Sequence, residues 1–370
     1  ARGAVAGSGA EDDPFVSTAI RVHMTKHGSR FAALKSVSMA LPVLVATAAS
    51  EAGENDTGRS VRGTKTQVGK SDGRIGQHLT VDSPLRDLLA HPAFAGFAPL
   101  LLPWDNRTYD PNMPLHDLGS LLPYHSHVDP ATSVKALNRM VDDIGQGKVV
   151  FYDFYSEAQK REQPARRYTG LFFFRGKPGA SFAVIAPGGG FSYVGSVHEG
   201  FPYAEEISKT GYNAFALRYR VRDGGTVATE DLAAAIAWIL RDADELGVST
   251  KNYSLWGSSA GARMAAAIGS HGTAAFGGDD LPKPATVVMA YTGHSDVSRH
   301  EPPTYVVVGE NDGIAPPAVM ERRVEALRSR GTTVEYCKYK NLGHGFGVGT
   351  GTSAEGWIAD AIRFWRRCAR

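Results

Sequence analysis

From residue 149 to the C-terminus the chain alternates short apolar runs with amphipathic stretches, and that alternation narrows the fold more than any other feature. The runs occupy 149–155, 171–174, 182–186, 214–217, 253–256, 286–290, 305–308 and 334–339. Between the later ones, apolar residues recur at helical spacing: Leu232, Ile236, Ile239 and Leu240, then Val324 and Leu327, then Trp357, Ile358, Ile362 and Trp365. A strand that is apolar throughout must be covered on both faces. The pattern therefore predicts an α/β domain over 149–370, a mostly parallel sheet with helices on both sides. Ligands of such sheets bind beyond the carboxyl ends of the strands.

The chain before residue 149 reads differently. Residues 81–148 predict a helical and loop segment, with Leu85, Leu88 and Leu89 at helical spacing. Asp129-Pro130 is a helix start with proline at the first position, and Val134, Leu137, Val141 and Ile144 mark one face of a helix ending at Gly145. Residues 50–80 are rich in Gly, Ser, Thr, Lys and Asp and read as a flexible linker. Residues 24–49 carry the marks of a secretory leader: Met24, then Lys26, Arg30 and Lys35, an apolar stretch, and the small-residue pattern Ala46-Thr47-Ala48. An alanine-rich helix is the alternative for that stretch. Its apolar run is too short to span a bilayer, so no stable membrane anchor is expected. Residues 1–23 read as an N-terminal extension or vector-encoded sequence. The leader reading implies a periplasmic or secreted protein, and its absence a cytoplasmic one.

Charge excludes some partners. Forty basic residues stand against 38 acidic ones with no long basic run, so nothing points to nucleic acid. The two cysteines, Cys337 and Cys368, form no metal-ligand spacing and no redox pair, though a disulfide between them stays open. Neither a zinc site nor thioredoxin chemistry is therefore expected.

The chemistry sits in four loops that follow apolar runs. Gly257-Ser258-Ser259-Ala260-Gly261 matches G-x-S-x-G between a strand and a helix. In that setting a serine occupies a sharp turn with its hydroxyl free, and the helix N-terminus faces any developing anion. The alternative, Ser259 as a plain helix cap, fits the pentapeptide but not its context. Upstream, Pro187-Gly188-Gly189-Gly190-Phe191 leaves backbone N–H groups unobstructed, and the N–H groups of Gly189, Gly190 and Ala260 are the expected oxyanion donors. A phosphate loop would need G-x-G-x-x-G or a lysine followed by Ser or Thr, and neither occurs. Downstream, Gly309-Glu310-Asn311-Asp312 offers an acid and Asn341-Leu342-Gly343-His344 a base. The order nucleophile, acid, histidine favours Ser259, Asp312 and His344, with Glu310 as the competing carboxylate. Phe191, Tyr193 and His294 are candidates to line the substrate pocket, together with residues of the N-terminal segment.

On these motifs the chain from about residue 115 onward resembles bacterial α/β-hydrolases of the acetyl-esterase/lipase group, including acetylxylan-esterase-like proteins, and is similar to hormone-sensitive-lipase-like esterases. The resemblance implies hydrolysis of short-acyl, often acetyl, esters of sugars or small aryl alcohols, without a cofactor. Many relatives have histidine before the glycine run where this chain has Pro187, which implies a stiffer, less lipase-like loop. A peptidase, a lactone hydrolase and a non-catalytic binding protein on the same frame are the alternatives. The sequence leaves the oligomeric state open.

Overall fold

The computed structural model describes residues 76–222 and 224–369. The stretches read as extension, leader and most of the linker lie outside those residues, and the described residues all belong to the compact unit from Arg59 to Arg370. Eight strands form one sheet: β1 (Phe151–Tyr152), β2 (Gly170–Phe174), β3 (Phe182–Ala186), β4 (Asn213–Arg218), β5 (Ser254–Ser258), β6 (Thr286–Ala290), β7 (Thr304–Gly309) and β8 (Val334–Tyr339). Their order is β1-β2-β4-β3-β5-β6-β7-β8. β2 runs antiparallel to both β1 and β4, and every later pair is parallel.

The helices are α1 (Leu85–Leu89), α2 (Pro130–Gly145), α3 (Glu157–Glu162), α4 (Phe201–Lys209), α5 (Gly224–Arg241), α6 (Ala243–Leu246), α7 (Ala260–His271), α8 (Pro317–Ser329) and α9 (Trp357–Cys368). Alternation along each strand sends side chains to two cores. In β2, Phe172 and Phe174 join the core beneath α2, α4 and α9, whereas Leu171 and Phe173 join the one beneath α5, α7 and α8. This is the α/β-hydrolase arrangement expected from the sequence.

Strands β2 to β7 are buried along their whole length, which is why they read as unbroken apolar runs. The last strand, β8, is half-buried and carries Glu335 and Lys338, charges that discourage further pairing at a free edge. The run at 149–155 pairs over only two residues. Asp153 turns to the Tyr155 N–H and the Lys160 ammonium, drawing the chain out of the ladder.

Residues 81–148 wrap one face of the sheet. Asp129 caps α2 by accepting the Ala131 N–H, and Val134, Leu137, Met140 and Val141 are buried in the core shared with α4 and α9. Each such side chain contributes about 1.5–3 kcal/mol by leaving water. Arg218, fully buried at the end of β4, fastens the segment by donating to the Leu102 carbonyl at 2.7 Å and pairing with Asp105. Among the described residues no helix is long and apolar enough to cross a membrane, no group of His, Cys, Asp or Glu could hold a metal ion, and Cys337 and Cys368 are unpaired.

Candidate active site

Ser259 stands between β5 and α7 with φ 49° and ψ −116°, a backbone conformation that side chains other than glycine adopt only when the surroundings force it. Its N–H is held by the Ala290 carbonyl at 2.8 Å. The flanking glycines make the turn sterically feasible. A Cβ on Gly261 would lie 1.9 Å from the Ala186 carbonyl oxygen, and one on Gly257 would lie 2.3 Å from the Gly261 oxygen. The strain thus rests on strand–helix packing that no larger residue allows. Ser259 remains partly exposed while Ser258, next to it, is buried.

His344 and Asp312 converge on that serine from two later loops. The His344 Nε2 lies 2.9 Å from the Ser259 Oγ, and its Nδ1 lies 2.8 Å from Asp312 Oδ2. Asp312 is itself fixed, since its Oδ1 accepts the Ile314 and Ala315 N–H groups at 2.9 and 2.7 Å. A carboxylate on Nδ1 sets the tautomer that leaves Nε2 able to accept the serine proton. Glu310, the competing carboxylate, is exposed and accepts the Asn341 N–H instead. The histidine loop is braced from the N-terminal segment: the Ser126 N–H donates to the His344 carbonyl at 2.8 Å.

The glycine loop lies alongside. Gly189 has φ 132°, and a Cβ there would meet the Tyr193 carbonyl oxygen at 2.1 Å, so the loop closes only with glycine at this position. Within the described residues the N–H groups of Gly189 and Gly190 donate to no protein acceptor, and Ala260 opens α7, where the N–H groups are free by helix geometry. Such donors suit an anion formed next to Ser259.

The expected pocket residues fall into different places. Phe191 is half-buried, with its ring against Tyr219 and over Gly225. Tyr193 is wholly buried, its ring stacked under Tyr124 and beside Trp104, so it supports the rim rather than lining it. Tyr124 is exposed and lies beside the glycine loop: its ring would stand 2.9 Å from a Cβ on Gly190. His294 lies past the end of β6 and leaves Nε2 without a hydrogen-bond partner. Burial and the Arg323 and Arg263 cations push its pKa from 6.5 down to about 4.

Behind the glycine loop lies a cluster that sequence reasoning missed. Glu199, in a π-helical turn at Ser196–Gly200, has a wholly buried side chain that accepts from Gly188 N–H, His125 Nε2 and Tyr291 Oη. His198, its neighbour, is held neutral by burial and by the nearby His125, its pKa lowered from 6.5 to about 3. The one sequence signal for this cluster is the pair His198-Glu199 in the short stretch after the glycine run.

Comparison with known proteins gives two adjoining family matches: BD-FAE over residues 177–286 and the prolyl oligopeptidase family over 280–370. An acetylxylan esterase of Xylanibacter ruminicola is 23% identical over 208 residues, covering 48% of this chain. The chain spans 43% of that relative's length. Similar solved structures include MGS-M1, an alpha/beta hydrolase from a Medee basin deep-sea metagenome (21% identity, TM-score 0.49, 54% of this chain and 93% of that one). Another is an acetyl ester-xyloside bifunctional hydrolase from Caldicellulosiruptor lactoaceticus (19% identity, TM-score 0.49, 54% and 88%).

Proposed function

We propose that this chain, an α/β-hydrolase of the acetyl-esterase group, is a serine carboxylesterase acting on short-acyl, chiefly acetyl, esters of small molecules or carbohydrates. The observation that carries this reading is the line of hydrogen bonds from Ser259 through His344 to Asp312. In the first step the Ser259 oxygen attacks the ester carbonyl while its proton passes to His344 Nε2. The carbonyl electron pair moves onto oxygen, facing the N–H groups of Gly189, Gly190 and Ala260. The tetrahedral adduct then expels the alcohol, which takes the proton back from His344, and the acyl group stays on Ser259. In the second step water replaces the alcohol and the same transfers release the acid. Asp312 stabilises the imidazolium without taking its proton.

The acetyl preference is supported by the acetylxylan esterase relative and by the Tyr124 ring over the glycine loop, which narrows the space for an acyl chain. A panel of p-nitrophenyl esters, acetylated xylan, aryl-peptide amides and lactones tests the reading. Acetate esters should turn over fastest, and turnover of peptides alone would replace it with the second reading, a peptidase. That alternative is favoured by the prolyl oligopeptidase match over the segment carrying Asp312 and His344. Tyr124→Ala should raise turnover of butyrate relative to acetate by about threefold to tenfold, the worth of a few buried methylenes. The leader-like stretch at 24–49 extends the proposal to an exported enzyme. Sequencing the mature N-terminus from the native host checks that point, and an N-terminus at or before Met24 counts against it.

A further inference from the structure

We propose that Glu199 is a positioning residue for the oxyanion loop, its buried carboxylate holding the Gly188 N–H and, through His125 and Tyr291, locking that loop to the one that carries His344. The inference rests on the esterase reading above and assigns a task to a group which that mechanism leaves unused.

A carboxylate with no solvent access is costly unless nearly every lone pair is occupied. Glu199 meets that condition with donors from three separate parts of the chain. Its Oε2 accepts the Gly188 N–H, while Oε1 accepts His125 Nε2 at 2.9 Å and the Tyr291 hydroxyl at 2.8 Å. The carboxylate lies directly under the glycine loop, for a Cβ on Gly188 would stand 3.0 Å from Oε2 and one on Gly195 would stand 3.3 Å from it. Burial pushes the pKa of Glu199 up, but His125 and the Gly188 N–H outweigh it and hold the group below its usual 4.5, so it stays ionised.

Each donor leads to a different piece of the machinery. His125 gives Nε2–H to Glu199, and its Nδ1 lies 3.1 Å from the Tyr193 hydroxyl, so both ring nitrogens are used. The residue after it, Ser126, holds the His344 carbonyl. The Tyr291 ring packs edge-to-face on the His344 imidazole, centroids 5.2 Å apart. Tyr291 also lies 2.8 Å from the Tyr203 hydroxyl, which accepts from Ser258 at 3.1 Å. One carboxylate therefore couples the end of β3, the end of β5 and the histidine loop. It touches neither the Ser259 hydroxyl nor the space before it. Its effect on the reaction is to fix where the glycine N–H groups point, and misdirected donors lose their value only in the transition state, where the oxygen is charged.

The test is Glu199→Gln in the full chain, assayed on p-nitrophenyl acetate and with a methyl trifluoromethyl ketone, whose carbonyl carbon forms a tetrahedral adduct with serine. We expect kcat to fall about tenfold to a hundredfold with KM within about twofold, and the ketone affinity to fall by a similar factor. An unchanged kcat, or a fall in kcat with ketone affinity unmoved, overturns the proposal. Should Glu199→Gln fail to fold, Tyr291→Phe removes one donor and keeps the ring on His344. It should lower kcat and ketone affinity together by about threefold to tenfold, and no change in either overturns the proposal. Wild-type protein that neither hydrolyses esters nor is labelled at Ser259 by a fluorophosphonate overturns the esterase reading itself. Active wild type with an equally active Glu199→Gln overturns only the role of Glu199.

Discussion

His344 and His125 are each bound to a buried carboxylate at nearly the same distance, 2.8 Å to Asp312 and 2.9 Å to Glu199, yet their surroundings differ in kind. The free nitrogen of His344 faces a serine hydroxyl on a strained turn at the open edge of the sheet. The free nitrogen of His125 faces a tyrosine hydroxyl within the protein, and Glu199 spends its other oxygen on a backbone N–H. A histidine–carboxylate pair is thus not a catalytic signature by itself. What the third partner is, and whether a substrate can reach it, separates proton transfer from scaffolding.

The largest expected effect comes from breaking the open pair's outlet. Ser259→Ala should lower kcat for p-nitrophenyl acetate by about a thousandfold or more while moving the unfolding midpoint little, since a half-exposed hydroxyl adds little stability. Asp312→Asn should come next, with a loss of about a thousandfold or more, because the amide can hold His344 in the wrong tautomer. Glu310→Gln beside it should change kcat by less than about twofold, a control for general loop damage. The smallest effect concerns the closed side and is read in stability. His198, stacked edge-on against His125 at 4.8 Å, has its pKa lowered from 6.5 to about 3, and His294 from 6.5 to about 4. The unfolded chain therefore binds protons that the folded chain refuses. Stability present above about pH 6.5 should decline as pH falls toward 4. His198→Asn should flatten part of that decline in urea midpoints measured at several pH values, and an unchanged slope would contradict the role of burial.

The open pair was legible in the sequence and the closed pair was not, for a physical reason. Ser259 and Asp312 come just after fully buried strands and His344 a few residues after the half-buried β8, so the runs mark their positions, and glycines forced by close packing flag the turns. The sheet was legible on the same ground, because β3, β6 and β8 coincide with apolar runs. Glu199 lies in a five-residue π turn with no periodicity, and its meaning depends on His125, 74 positions earlier, and Tyr291, 92 positions later. Tyr193 shows the same dependence: it follows the glycine loop in sequence, yet its ring is covered by Tyr124 from a distant segment. Partners that meet only through tertiary packing leave no local trace.

The most direct test is to quench p-nitrophenyl acetate turnover in acid within the first turnover and map the bound acetyl group by peptide mass spectrometry. An acetyl-serine mechanism predicts acetyl on Ser259, and none on the Ser259→Ala protein. Acetyl on another side chain, or brisk turnover with no acylated peptide at all, would contradict it.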